Sequence, residues 1–241
     1  MLDFTKFEWL SFDCYGTLID WESGILGYLQ PLLERKSRFA SDDEVLHLYS
    51  ELEPRHETGP YHSYREVLGA VVRDFGREFR FPVTPGEADG LCDAVRNWEP
   101  FADTVPALER LKSRYKLAIL SNIDNDLFSH SAQKLQVHFD CVVTAQQVHS
   151  YKPALQNFEA LLRRIAVPAD RLLHVAESLY HDVAPAKTKG IATVWVNRRQ
   201  DRPAAASKRV PVRPDLQVRD LAELAQLAVP DAGTATATTN A

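Results

Sequence analysis

The chain has 241 residues, 45% hydrophobic and 25% charged, with a formal net charge of -5 at pH 7. That is the composition of a folded globular protein, long enough for one large domain or a domain with an insert. An acidic balance without a basic stripe argues against nucleic-acid binding, and no apolar run approaches the roughly 20 residues of a membrane span.

The opening "MLDFTKFEWLSFD" places two acids ahead of any sustained apolar run, so no signal peptide is expected. Three widely separated cysteines (Cys14, Cys92 and Cys141) fit reduced thiols of a cytoplasmic protein better than a disulfide frame or zinc site. The first strand is predicted in "FEWLSFD" (7–13), which drives an apolar run into Asp13. Residues 20–98 then read as helix throughout, with capping-box spacings at Ser41/Glu44 and Thr84/Glu87. Strand character returns in "KLAILSN" (116–122), "FDCVVTA" (139–145), "RLLHVAES" (171–178) and "IATVWVN" (191–197), alternating with helix-period segments. A short edge strand leading into a helix is expected within 214–228, and the small polar tail 229–241 is expected to be disordered.

Near-continuous apolar strands alternating with helices specify an α/β fold whose parallel sheet is covered on both faces. The predicted organisation is a core of residues 1–19 and 99–228, with an all-helical cap (20–98) inserted after the first strand. Ligands of such sheets bind beyond the carboxyl ends of the strands. That rim would gather Asp13, Ser121 with Asn122, Lys152 and the loop from Glu177 to Asp182, an arrangement that points to an enzyme.

A carboxylate closing an apolar strand is costly unless it receives hydrogen bonds or a cation. Asp13 is therefore readable as a nucleophile, a metal ligand or a strand-end cap. Gly16 permits a tight turn after it, and Thr17 can donate its hydroxyl to the carboxylate or to a bound anion. Lys152 can keep Asp13 ionised and stabilise charge in the transition state.

Four stretches in order, "FDCYGTLID", "LAILSN", "YKP" and "HVAESLYHD", resemble the four motifs of the haloacid dehalogenase superfamily. The resemblance implies a Rossmann-like core with Asp13 as nucleophile and Ser121 as an orienting hydroxyl. It further implies Lys152 as the balancing cation and Asp182 as the fourth-motif acid. Phosphatases of this superfamily carry a second aspartate two residues after the nucleophile, which protonates the leaving alkoxide. Here that position is Tyr15, whose ordinary pKa of about 10 makes it a poor acid near neutrality. A halide leaves without a proton, so "DxYGTL" resembles the type II 2-haloacid dehalogenases. Asp13 would displace halide, or a similar leaving group, from the α-carbon of a small carboxylic acid, through an ester intermediate. Tyr15, Thr17, Asn122 and Arg65 are the expected substrate contacts, and a homodimer is possible.

Four departures stand against that pattern. Phe158 occupies a tyrosine position six residues after Lys152, and no cap arginine among Arg35, Arg55 and Arg65 falls in a matching motif. Tyr180-His181 stands where tryptophan is usual. The fourth motif resembles the phosphatases' "DSxxxD", so Asp13, Glu177 and Asp182 would be the ligands if magnesium binds. No cofactor is favoured; the alternative is a magnesium-dependent phosphatase or phosphonatase-like hydrolase. A catalytically silent partner module is the third reading.

Overall fold

The computed structural model describes residues 2–199 and 210–231. Six strands form one parallel sheet in the order β3-β2-β1-β4-β5-β6. They are β1 (Trp9–Phe12), β2 (Lys116–Ser121), β3 (Cys141–Thr144), β4 (Leu172–Ala176), β5 (Ala192–Val196) and β6 (Leu216–Val218). The central strand β1 pairs with β2 on one side and β4 on the other, Trp9 lying opposite both Lys116 and Leu172.

Both faces of β1 are buried, which is why its sequence reads as continuously apolar. Leu10 and Phe12 pack with α5 (Thr104–Lys112) and α10 (Leu221–Ala228). Trp9, with Ala118 and Leu120 of β2, packs with α8 (Leu155–Ile165) and Ala186 of the short α9 (Ala184–Thr188). The remaining core helices are α6 (Asn125–Leu135) and the single turn α7 (Ala145–Val148). The chain runs outward from β1 through β2 to β3, then crosses to β4 on the other side. This reversal opens a crevice at the carboxyl end of β1.

Four helices lie between β1 and β2: α1 (Trp21–Arg35), α2 (Asp42–Glu57), α3 (Tyr64–Glu78) and α4 (Pro85–Ala94). Reciprocal capping boxes start α2 at Ser41/Glu44 and α4 at Thr84/Glu87, as the spacing predicts, and a third starts α3 at Ser63/Glu66. Each cap is worth about 1 kcal/mol and fixes where its helix begins.

The insertion leaves and rejoins the core through two adjacent segments, tied by Asp20 N–H to Glu99 O (2.9 Å) and Phe101 N–H to Leu18 O (3.1 Å). Gly24 lets the Trp98 indole lie against α1, since a Cβ there would meet the ring at 2.2 Å. The expected edge strand and helix in 214–228 are β6 and α10. Of the expected disordered tail, residues 232–241 lie outside the described residues.

Candidate active site

The site grows from the end of β1. Asp13 extends the ladder by one residue, its N–H donating to Val175 O at 3.1 Å, so its carboxyl group stands at the sheet's edge. The chain turns back at once: Leu18 and Ile19 N–H both donate to Cys14 O (2.7 and 2.9 Å). Gly16 makes that turn with φ +95, and a Cβ there would also lie 2.9 Å from the Trp21 indole nitrogen. The turn brings buried Thr17 back under Asp13. Its hydroxyl donates to Asp13 Oδ2 (2.8 Å) and accepts the Glu177 N–H (2.9 Å). Thr17 thus serves the nucleophile and the fourth-motif loop, rather than reaching substrate as expected.

Lys152 comes from the loop after α7, only 2% exposed. Its ammonium donates to Asp13 Oδ1 (2.8 Å), Asp182 Oδ1 (2.6 Å) and Leu120 O (3.0 Å), which engages all three of its protons. Burial works against its charge, but Asp13 and Asp182 outweigh burial and raise its pKa. Burial pushes the Asp13 carboxyl above its usual range, with Lys152 opposing. Burial acts on Asp182 in the same sense, yet Lys152 and His174 prevail and hold its carboxyl below the ordinary value.

His174 completes this core. It sits on β4 directly opposite Ser11 of β1, fully buried, with Nδ1 2.8 Å from Ser11 Oγ and Nε2 2.9 Å from Asp182 Oδ1. Phe158 packs edge-on against the imidazole, ring centroids 5.4 Å apart. Phe158 donates no hydrogen bond, so the second partner of Asp182 is the histidine.

Beyond β2, Asn122 lines the cleft. Its amide braces the lysine loop, accepting Lys152 N–H (2.7 Å) and donating to Lys152 O (3.1 Å). Ser121 Oγ is buried and has no hydrogen-bond partner among the described residues. Asp124, two residues on from Asn122, receives the backbone N–H groups of Tyr64 and Arg65 (3.0 Å each) and so anchors the start of α3 to the core.

The resulting cleft lies between sheet edge and helical insertion. Tyr15 contributes its ring, but its hydroxyl bonds Ser131 of α6 (2.9 Å), and burial raises its pKa well above 10. Arg65 requires a correction: its guanidinium points outward to Asp126 (3.3 Å) and Asp93 (3.8 Å) and does not line the cleft. Tyr64 takes the inward position at the start of α3, and the next residue on a helix is rotated by about 100°.

Two fourth-motif groups face the cleft beside Asp182. Burial, Asp13 and Glu22 push the Glu177 carboxyl up to about 7, against Arg199. Burial, with Lys152, takes His181 down to about 4, against Asp182, so its ring is neutral at physiological pH. His181 and Asp182 lie on a single π-helical turn, Leu179–Val183, which Ser178 caps by accepting the His181 N–H.

As a magnesium site the expected set fits poorly. The Lys152 ammonium bridges Asp13 and Asp182, and no three His, Cys, Asp or Glu side chains among the described residues converge to hold a metal ion.

Sequence reasoning missed His174 and the acids Glu53 and Glu57 of α2, which line the cleft from the insertion. The one detectable signal was His174 itself, a lone polar ring within the apolar run "RLLHVA".

Comparison with known proteins follows the same lines. A family model described as haloacid dehalogenase-like hydrolase matches residues 8–190. The chain is 26% identical over 230 residues to (S)-2-haloacid dehalogenase H-109 of Pseudomonas putida, covering 90% of this chain and 96% of that one. It is 33% identical over 101 residues to glyceraldehyde 3-phosphate phosphatase of Methanothermobacter thermautotrophicus, covering 41% and 45% of the two chains. Among solved structures, L-2-haloacid dehalogenase from Xanthobacter autotrophicus with chloropropionic acid covalently bound superposes with a TM-score of 0.75. It is 19% identical, and the match covers 94% of this chain and all of that one. Among the described residues no helix is long and apolar enough to cross a membrane.

Proposed function

The chain belongs to the haloacid dehalogenase-like hydrolases, and from that premise we propose that it hydrolyses a carbon–halogen bond, or a bond to a similar leaving group, in a small organic acid. The helical insertion serves as the cap over the site. One observation carries the reading: a buried carboxylate–ammonium pair, Asp13 with Lys152, lies on the cleft floor beside a Tyr15 whose hydroxyl is tied to Ser131.

In the first step an Asp13 carboxylate oxygen attacks the substrate carbon from the side opposite the leaving group. The carbon–halogen bond breaks, and its electron pair departs with the halide. No proton is required, which matches a site with no carboxylic acid two residues after Asp13. The product of this step is an ester on Asp13. Lys152 and Thr17 fix the carboxylate so that little reorientation precedes attack. In the second step water adds to the aspartyl carbonyl carbon, and the bond from that carbon to the substrate oxygen breaks. The base takes one proton from the water and hands it to the departing oxygen, and the water's second proton passes to solvent. Asp13 regains its carboxylate, and the product leaves as an alcohol carrying an Asp13 oxygen.

Glu177 is the base for that water. Its backbone is tied to Asp13 through Thr17, and burial pushes its carboxyl up to about 7. A base works only when ionised, so activity is gained as pH rises through its pKa. Turnover of L-2-chloropropionate, followed by halide release, is expected to climb about tenfold per pH unit below 7 and to level off above it. Glu177→Gln should remove the inflection. An inflection near 4 that survives in Glu177→Gln would instead assign the base to His181.

The second reading, a phosphatase, is favoured by the acid at Glu177 and by the phosphatase relative. Chelator-sensitive turnover of p-nitrophenyl phosphate, with no halide released from any haloacid, would establish it.

A further inference from the structure

Glu53 and Glu57 lie one turn apart on α2, so they share a face of the helix, and that face lines the cleft. Glu53 receives the hydroxyls of Tyr49 (2.9 Å) and Tyr64. Glu57 is less well served: Asn122 Nδ2, at 3.5 Å, stands at the outer limit of a hydrogen bond. Two like charges at this spacing repel, and burial raises the cost of each. The pair therefore calls for a proton or a cation.

Burial pushes both carboxyls up, towards holding a proton, and among the described residues the cleft offers no free cation in its place. Among the described residues five carboxylates and one ammonium line it, with no arginine. That ammonium is already held by Asp13, Asp182 and the Leu120 carbonyl. A substrate bearing only a carboxylate would bring one more negative charge into this set.

Two buried polar atoms in the same cleft lack partners among the described residues, Ser121 Oγ and Trp98 Nε1. Ser121, at the end of β2, can donate to an anionic group near the reacting carbon, whereas the Trp98 nitrogen lies against Gly24 of α1. The cleft is thus polarised, with an unused donor at the end of β2 and two acids on α2 that lack a cation. We propose that the substrate is a zwitterion: a short halogenated acid whose far end carries a protonated amine, seated on Glu53 and Glu57. This rests on the covalent displacement reading and names the substrate class for it.

The test separates the two ideas by using unreactive ligands first. Calorimetric titration of the intact protein with 4-aminobutyrate and with butyrate compares the same chain with and without the ammonium. The ammonium form is expected to bind about tenfold tighter or better, the size of one close charge pair. Glu57→Gln and, independently, Glu53→Gln should each shrink that advantage. Butyrate binding as tightly as 4-aminobutyrate, or an advantage unchanged in both variants, would overturn the inference. Halide release from 2-chlorobutyrate and 4-amino-2-chlorobutyrate then addresses the chemistry. A binding preference without halide from either compound leaves the zwitterion site standing and removes the displacement reading. Halide release with no binding preference does the reverse.

Discussion

Asp13→Asn is expected to lower turnover by about four orders of magnitude or more, the scale on which loss of a catalytic nucleophile is measured. The carboxamide matches the carboxylate in shape and can still accept from Thr17, so the fold should survive. Lys152 keeps two of its three partners, Asp182 and the Leu120 carbonyl. Steady-state halide release and thermal unfolding, measured side by side, check this. The expected pattern is an activity loss far out of proportion to any change in Tm. A variant retaining a tenth of the activity would remove Asp13 from the nucleophile's role.

Lys152→Met should affect both readouts. It leaves two buried carboxylates, Asp13 and Asp182, without their shared cation. Breaking a buried ion pair from one side costs about 3–5 kcal/mol, because an uncompensated charge remains. For a chain of this length that lowers Tm by about 10 °C. Both carboxyl groups would rise in pKa, so Asp13 would be protonated over more of the neutral range and the nucleophile lost with it. Adding Asp182→Asn should restore part of the stability, since one buried charge then disappears, but none of the activity. Recovery of activity in the double variant would mean that Lys152 acts only as a structural counter-ion.

The contrast between these variants reflects how the site is built. Asp13, Lys152 and Asp182 were legible because each follows a strand or turn whose residues resemble a motif, and the parallel sheet brings strand ends to one rim. The strands themselves were legible because burial on both faces leaves an unbroken apolar run, as in β1 and β2. The acids of α2 were not, for a physical reason. A helix exposes charged residues at the same spacing whether they face water or a cleft, and only the packing of the insertion on the core distinguishes the two. Arg65 failed in the opposite sense: it looked suited to an anion, but Tyr64 holds the inward position and Arg65 pairs with surface acids. His174 marks the middle ground. Its place in an apolar strand signals a buried imidazole in need of partners, but Ser11 and Asp182 become its partners only once β1 and β4 are in register.

Tyr15 ties these strands of evidence to the chemistry. The sequence places a phenol where a proton donor would serve a phosphate ester, and the structure turns its hydroxyl onto Ser131. Leaving groups that depart as stable anions suit such a site, and an ester on Asp13 is the intermediate they generate.

That ester is tested most directly by a single turnover in heavy-oxygen water, with enzyme in excess over L-2-chloropropionate or 4-amino-2-chlorobutyrate, followed by mass spectrometry of the peptide containing Asp13. The expected result is one heavy oxygen in the Asp13 carboxylate and ordinary oxygen in the product alcohol. Heavy oxygen in the product with Asp13 unlabelled would show that water attacks the substrate carbon directly, and covalent catalysis by Asp13 would be excluded.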